Sequence, residues 1–151
     1  MQVERKIPAW LLCRVDPVEF LFRIVFGGVF CIAGAMKMTD LLAFEAAIRN
    51  YRLLGDPYVA WAAMSIPPLE IIAGSAVILR ILYPGCIIVL CGALTVFIGS
   101  LISLLVRGID TECGCLGIRT TIEVQLAIDC LLAALGALLL WMWRKKSCLA
   151  P

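Results

Sequence analysis

Residues 83–106 read YPGCIIVLCGALTVFIGSLISLLV, an apolar run without a single charged side chain. A helix rises about 1.5 Å per residue and the hydrocarbon core of a bilayer is about 30 Å thick, so a run of this length crosses a membrane. Upstream lies a second apolar run, Tyr58 to Leu79, with Glu70 its one charged residue, and the RILYPG turn between the two is too short for anything but an antiparallel hairpin. Val18 to Met36 and Ile122 to Trp143 complete a set of four spans. No internal repeat or low-complexity linker interrupts the chain. The expected fold is therefore an all-α membrane protein, a four-transmembrane-helix bundle forming one membrane domain over residues 1–151.

Composition agrees with this class. Hydrophobic residues make up 63% of the chain and charged residues 16%, with a mean hydropathy of +1.02, too apolar for an ordinary soluble domain. The net charge of +2, with no basic block, argues against a nucleic-acid partner. The absence of histidine removes the commonest metal ligand and general base. Chemistry in this chain has to rest on thiols, carboxylates or a bound cofactor.

Between the first two spans, TDLLAFEAAIRNYRLLGDP has a different pattern. Leu41, Phe44, Ile48 and Tyr51 recur at helical spacing, Glu45, Arg49 and Arg52 take another face, and Gly55 with Pro57 marks the stop. The pattern predicts a short amphipathic surface helix, lying on the membrane or packed on the top of the bundle.

Lysine and arginine outside the spans set the expected orientation. Arg5, Lys6, Arg14, Arg80, Arg144, Lys145 and Lys146 share the side of the termini, seven against the five of Lys37, Arg49, Arg52, Arg107 and Arg119. Both termini are expected in the cytoplasm, and the loop before the fourth span outside it. IVFGGVFCIAGA has the look of a signal h-region ending in Ala33-Gly34-Ala35, but the long preceding segment and its continuation to Met36 favour an uncleaved span.

That outward loop carries TECGCLG, with Cys113 and Cys115 one glycine apart. Loop thiols in an oxidising compartment tend toward disulfides. Two cysteines this close can close only a small strained ring, and strain makes such a bond an oxidant or exchange intermediate. Asp110 and Glu112 disfavour the thiolates while Arg107 and Arg119 favour them. A Cu(I) site on the two thiolates is the other chemical reading. Cys86 and Cys91 read as small hydrophobes inside helices. Cys31 and Cys130 lie at similar depths from the outer ends of their spans, about 8 Å and 12 Å, which raises a second thiol pair as an alternative to two unrelated packing cysteines.

Arg23, Glu70 and Asp129 fall within spans, where charges are costly unless paired or neutralised. Counted from the inner ends, Arg23 lies roughly 8 Å deep and Glu70 roughly 14 Å, a difference an arginine side chain can bridge. The expectation is an Arg23–Glu70 ion pair locking the first two spans, with a proton or quinone site as the functional alternative. Small residues at Gly27, Cys31 and Gly34 or Ala35 recur about every four positions and would let another helix approach closely. Pro67-Pro68 is expected to kink the second span.

Arg23, Gly27, Gly34 and Lys37 around the first span, Pro68-Leu69-Glu70 with Gly74 in the second, and ECGCLG before the fourth together resemble the DoxX-like superfamily, most closely the methylamine utilisation protein MauE group. The resemblance runs from about Phe20 to Trp143 and includes AIRNYRLL. It implies a four-helix protein of the bacterial inner membrane, tied to thiol redox and to maturation of exported, disulfide-containing proteins, often beside a thioredoxin-like partner. Leu116 stands where that group has an aromatic residue, which puts the identity of the partner in question.

These readings converge on thiol–disulfide exchange by Cys113 and Cys115 with an exported or thioredoxin-like protein. The direction of electron flow is left open. Two alternatives stand beside it: an accessory or assembly subunit in a larger membrane complex, and a quinone-linked oxidoreductase subunit with Arg23 and Glu70 near the ring. Quinone is the one cofactor these alternatives call for.

Overall fold

A computed structural model describes residues 17–108 and 121–147, which form five helices and no strand. They are α1 (Pro17–Thr39), α2 (Leu41–Asn50), α3 (Tyr58–Leu79), α4 (Tyr83–Val106) and α5 (Ile122–Ser147). α1, α3, α4 and α5 are each long and apolar enough to cross a membrane. The chain is thus an all-helical membrane protein with four candidate spans and a short helix between the first two, as expected.

The helix ends have local causes. α1 opens on Pro17, whose fixed φ suits a first turn, and places Glu19 in the first turn and Lys37 in the last, each favourable to the helix dipole. It runs past Met36 to Thr39, whose Oγ1 donates back to the Met36 carbonyl at 2.7 Å. Asp40 then caps α2 by accepting from the Ala43 amide at 3.0 Å. α5 extends beyond Trp143 because Arg144 and Lys145 are good helix formers, and Lys145 sits over the Trp141 ring.

Of the expected apolar stripe, Phe44, Ile48 and Tyr51 face the protein, whereas Leu41 is exposed. Phe44 and Ile48 are buried against Val59 and Ala63 of α3, so α2 closes one end of the bundle while Leu42 stays exposed. Tyr51, just beyond it, packs with Leu101, Leu104 and Ile122. Arg49 bonds to Asp56 and to Glu45 on the exposed side, an arrangement that contributes little to stability in water.

α1 makes its most extensive contact with α3, and glycine is what permits it. A Cβ on Gly27 would stand 2.6 Å from the Gly74 carbonyl oxygen, and one on Gly74 would stand 2.7 Å from that of Gly27. Further along, a Cβ on Gly34 would meet the Pro67 oxygen at 2.8 Å. These pairs fix an antiparallel register in which the two backbones touch, the small-residue packing that the spacing of Gly27, Cys31 and Gly34 predicts. The main core lies beside this seam, around Phe26, Phe30, Val77, Ile87, Leu90 and Leu139. Ile32, Trp61, Ile72, Val96 and Leu131 are exposed and supply the apolar surface that meets lipid.

The α3–α4 turn holds two non-glycine residues in left-handed backbone, Arg80 at φ 63° and Leu82 at φ 48°. The Arg80 and Ile81 amides close α3 on the carbonyls of Val77 and Ala76. Arg80 also reaches Glu19 of α1, Nη2 to Oε1 at 3.7 Å. Leu82 is 79% exposed. Because left-handed backbone costs a residue with a Cβ about 1–2 kcal/mol, Leu82→Gly should raise stability by about 1 kcal/mol. Thermal unfolding in detergent checks this, with Leu82→Ala, which keeps the Cβ, expected to show no such gain.

Candidate functional site

Antiparallel packing brings the C-terminal end of α1, the N-terminal ends of α3 and α5, the C-terminal end of α4 and the whole of α2 to one end of the bundle. There they enclose a cavity of about 560 Å³. Its walls are almost wholly apolar, with Phe30, Phe44, Tyr51 and Phe97 among the ring-bearing side chains. Leu69, Val89 and Val96 line it and are also exposed on the lipid-facing surface, at 42%, 47% and 73%. Leu53 and Leu54 of the α2–α3 connection also line it and are 46% and 47% exposed, so the cavity opens at that connection as well as between α3 and α4.

The charged and amide groups of the cavity come from three helices, and Ser100 of α4 adds a hydroxyl that donates to the Val96 carbonyl at 2.9 Å. Lys37 Nζ of α1 donates to both carboxylate oxygens of Glu70 in α3, at 2.6 and 2.7 Å, and both side chains are only 9% exposed. The ammonium lies 5.4 Å from the centroid of the Phe44 ring, so α2 covers it with an aromatic face. In α5, Gln125 donates from Nε2 to Asp129 Oδ1 at 3.0 Å, an i,i+4 pair on the buried face. Asp129 is 4% exposed, and its Oδ2 has no hydrogen-bond partner among the described residues. Lys37 and Glu70 are both close enough to act on Asp129 electrostatically.

The expected Arg23–Glu70 ion pair is not formed; Glu70 pairs with Lys37. The glycine register sets Glu70 near the level of Cys31, about 9 Å along α1 from Lys37 and about 12 Å from Arg23. Direction adds to distance. Side chains lean toward the N-terminus of their own helix, so in antiparallel neighbours Lys37 and Glu70 lean toward each other while Arg23 leans away. Arg23 is buried in the other half of the bundle, 5.4 Å from the centroid of the Phe20 ring, and its Nε has no hydrogen-bond partner among the described residues.

Of the remaining expected site residues, Glu70 and Asp129 do meet at the cavity. Cys31 turns toward α3, with Sγ 3.6 Å from the Ile71 carbonyl and 3.5 Å from Ser75 Oγ, whereas Cys130 is exposed on α5; both thiols are free, and the structure does not join them. Cys86 and Cys91 are free and half-buried. Cys113 and Cys115 lie outside the described residues. The segments flanking them are described: Arg107 donates from Nη1 to the Tyr51 carbonyl at 3.3 Å, and Ile122 is buried beside Tyr51. Among the described residues no three Cys, Asp or Glu side chains gather as a metal site.

Sequence reasoning missed two members of the site. The hydropathy pattern places Lys37 just outside its span, and the signal that it turns inward toward Glu70 is the lean of α1 side chains toward the helix N-terminus. Gln125 was not singled out, although it stands one turn before Asp129.

The fold and this cavity define a four-span membrane protein with a ligand-sized, apolar chamber whose few polar groups are buried together. Residues 15–142 match the family described as methylamine utilisation protein MauE, and the chain belongs to that family. No curated protein and no solved structure matches it.

Proposed function

We propose that this MauE-family membrane protein is a thiol–disulfide exchanger of the bacterial inner membrane, with both termini cytoplasmic and Cys113 and Cys115 on the outer side. One observation carries the reading: the connection bearing both cysteines leaves α4 after Gly108 and rejoins α5 at Thr121, at the bundle end that holds the cavity and its charges. In the oxidising direction, a thiolate of an exported partner attacks one sulfur of the Cys113–Cys115 disulfide, breaking that bond and forming a mixed disulfide. The partner's second thiolate then attacks the partner's own sulfur and expels the cysteine of this chain. The partner leaves oxidised, and Cys113 and Cys115 are left as a dithiol.

Single serine substitutions test this step. In the reverse direction one cysteine of this chain opens a partner disulfide and its neighbour resolves the mixed disulfide, so replacing the resolving cysteine traps it: one of Cys113→Ser and Cys115→Ser should accumulate a covalent partner on non-reducing gels and the other should accumulate less. The double variant should insert normally and lose maturation of the partner. Full maturation activity in the folded double variant would leave the accessory-subunit reading in its place. Orientation is checked by cysteines introduced at Asn50 and Gly117 in a cysteine-free background. Both should react with a membrane-impermeant thiol reagent in intact cells, and reaction only after lysis would reverse the topology.

A further inference from the structure

A dithiol left by disulfide exchange needs a two-electron acceptor before it can act again, and the chamber beside its loop has the features such an acceptor would require. The volume of about 560 Å³ lies within the usual range for small-molecule sites, roughly 300–1,000 Å³. The walls suit an apolar ring, and beside the opening at Leu53 and Leu54 there is one at Leu69, Val89 and Val96 on the apolar surface, through which a molecule can arrive from the bilayer. An acyl tail alone would leave Asp129 Oδ2 buried without a partner, a state that costs free energy. The occupant therefore carries polar atoms that reach the end of the chamber where Asp129 and Lys37 stand.

We infer that the cavity binds the ring of a lipid-soluble quinone, with Asp129 as its hydrogen-bonding and proton-exchange partner. A carboxyl group suits both redox states of such a ring: protonated, it donates to a quinone carbonyl; ionised, it accepts from a hydroquinone hydroxyl. Gln125 holds Oδ1 of Asp129, and Oδ2, buried without a partner among the described residues, would meet the ligand after a turn of the carboxyl group. The Lys37–Glu70 pair supplies a fixed charge pair beside the ring. The redox balance rests on the exchange reading above. Oxidation of the Cys113/Cys115 dithiol to a disulfide releases two electrons and two protons, and quinone takes up two of each to become hydroquinone.

Every described residue that lines the site lies outside the segment bearing Cys113 and Cys115, so binding and thiol chemistry can be tested apart. Purified protein is photolabelled with an azidoquinone in competition with decylubiquinone, and the labelled peptides are mapped. Saturable labelling of α1, α3, α4 or α5 around the cavity is expected. It should fall at least tenfold in Asp129→Ala and in Ala93→Phe, which fills the chamber from α4, with helical circular dichroism confirming that both variants fold. Asp129→Asn should bind within a few-fold of the parent yet reduce quinone at least tenfold more slowly. Labelling that does not saturate, or that both cavity variants leave unchanged, overturns the assignment. The Cys113→Ser/Cys115→Ser double variant should label normally and lose quinone reduction. If the parent protein labels at the cavity but decylubiquinone fails to oxidise its thiols, the binding assignment stands and the coupling of quinone to the cysteines is overturned, while the serine variants decide the disulfide-exchange reading.

Discussion

Lys37→Met destabilises the bundle by about 3–5 kcal/mol, the cost typical of leaving buried charge without its partner. Two carboxylates, Glu70 and Asp129, then share the end of the cavity with no cation between them. Glu70→Gln costs less, because Asp129 remains as a counter-charge for Lys37. Replacing both partners with methionine recovers most of the loss, since neither buried charge of the pair is left behind. The interaction energy from the Lys37 and Glu70 double-mutant cycle should be well above 1 kcal/mol, while Arg23→Gln combined with Glu70→Gln should be additive. Reversible unfolding in mixed micelles measures all of these. Additivity at Lys37 and Glu70, or coupling at Arg23 and Glu70, would contradict the pairing described above.

The second large effect belongs to the glycine seam. Gly27→Leu and Gly74→Leu should each cost at least about 3 kcal/mol, the upper range for overpacking, because the atom in the way is a backbone oxygen with no rotamer to escape into. Gly28→Leu is the matching control. It sits one residue along the same helix, and a Cβ there meets nothing within 4 Å. Loss of folded protein for the first two and near-normal stability for the third is the expected pattern, read by size-exclusion profile and thermal unfolding. Equal tolerance at all three positions would mean that α1 and α3 do not touch at these glycines.

Much of this architecture was legible in the chain itself. Span length and the uncharged run over 83–106 are sufficient for the four membrane helices, because a bilayer leaves a long apolar segment few alternatives to a helix. Spacing alone also exposed the close approach at Gly27 and Gly34, and the stripe of Phe44, Ile48 and Tyr51. The partner of Glu70 was not legible from depth counting. That choice depends on the register between two helices and on the lean of each side chain, and register is fixed by the Gly27–Gly74 contact between residues far apart in sequence. The cavity was equally hidden, since it is the space left where five helix segments fail to meet. Asp129 was visible as a charge within a span. That one of its carboxylate oxygens is buried without a partner among the described residues, beside a chamber, is a property of packing.

The position of Leu69, Val89 and Val96, at once cavity wall and outer surface, changes the variable in which occupancy should be expressed. A molecule that enters between α3 and α4 is drawn from the hydrocarbon phase, so saturation follows its mole fraction in lipid and not its molarity in buffer. Partitioning strengthens by about 0.8 kcal/mol for each methylene buried in the membrane. Lengthening the tail of a ligand would thus tighten its apparent aqueous dissociation constant severalfold per carbon with no new contact to the protein. Its intramembrane constant would stay level until the tail itself met the helix surface. Diluting a fixed amount of protein and ligand into more micelles would empty the chamber, and adding buffer alone would not.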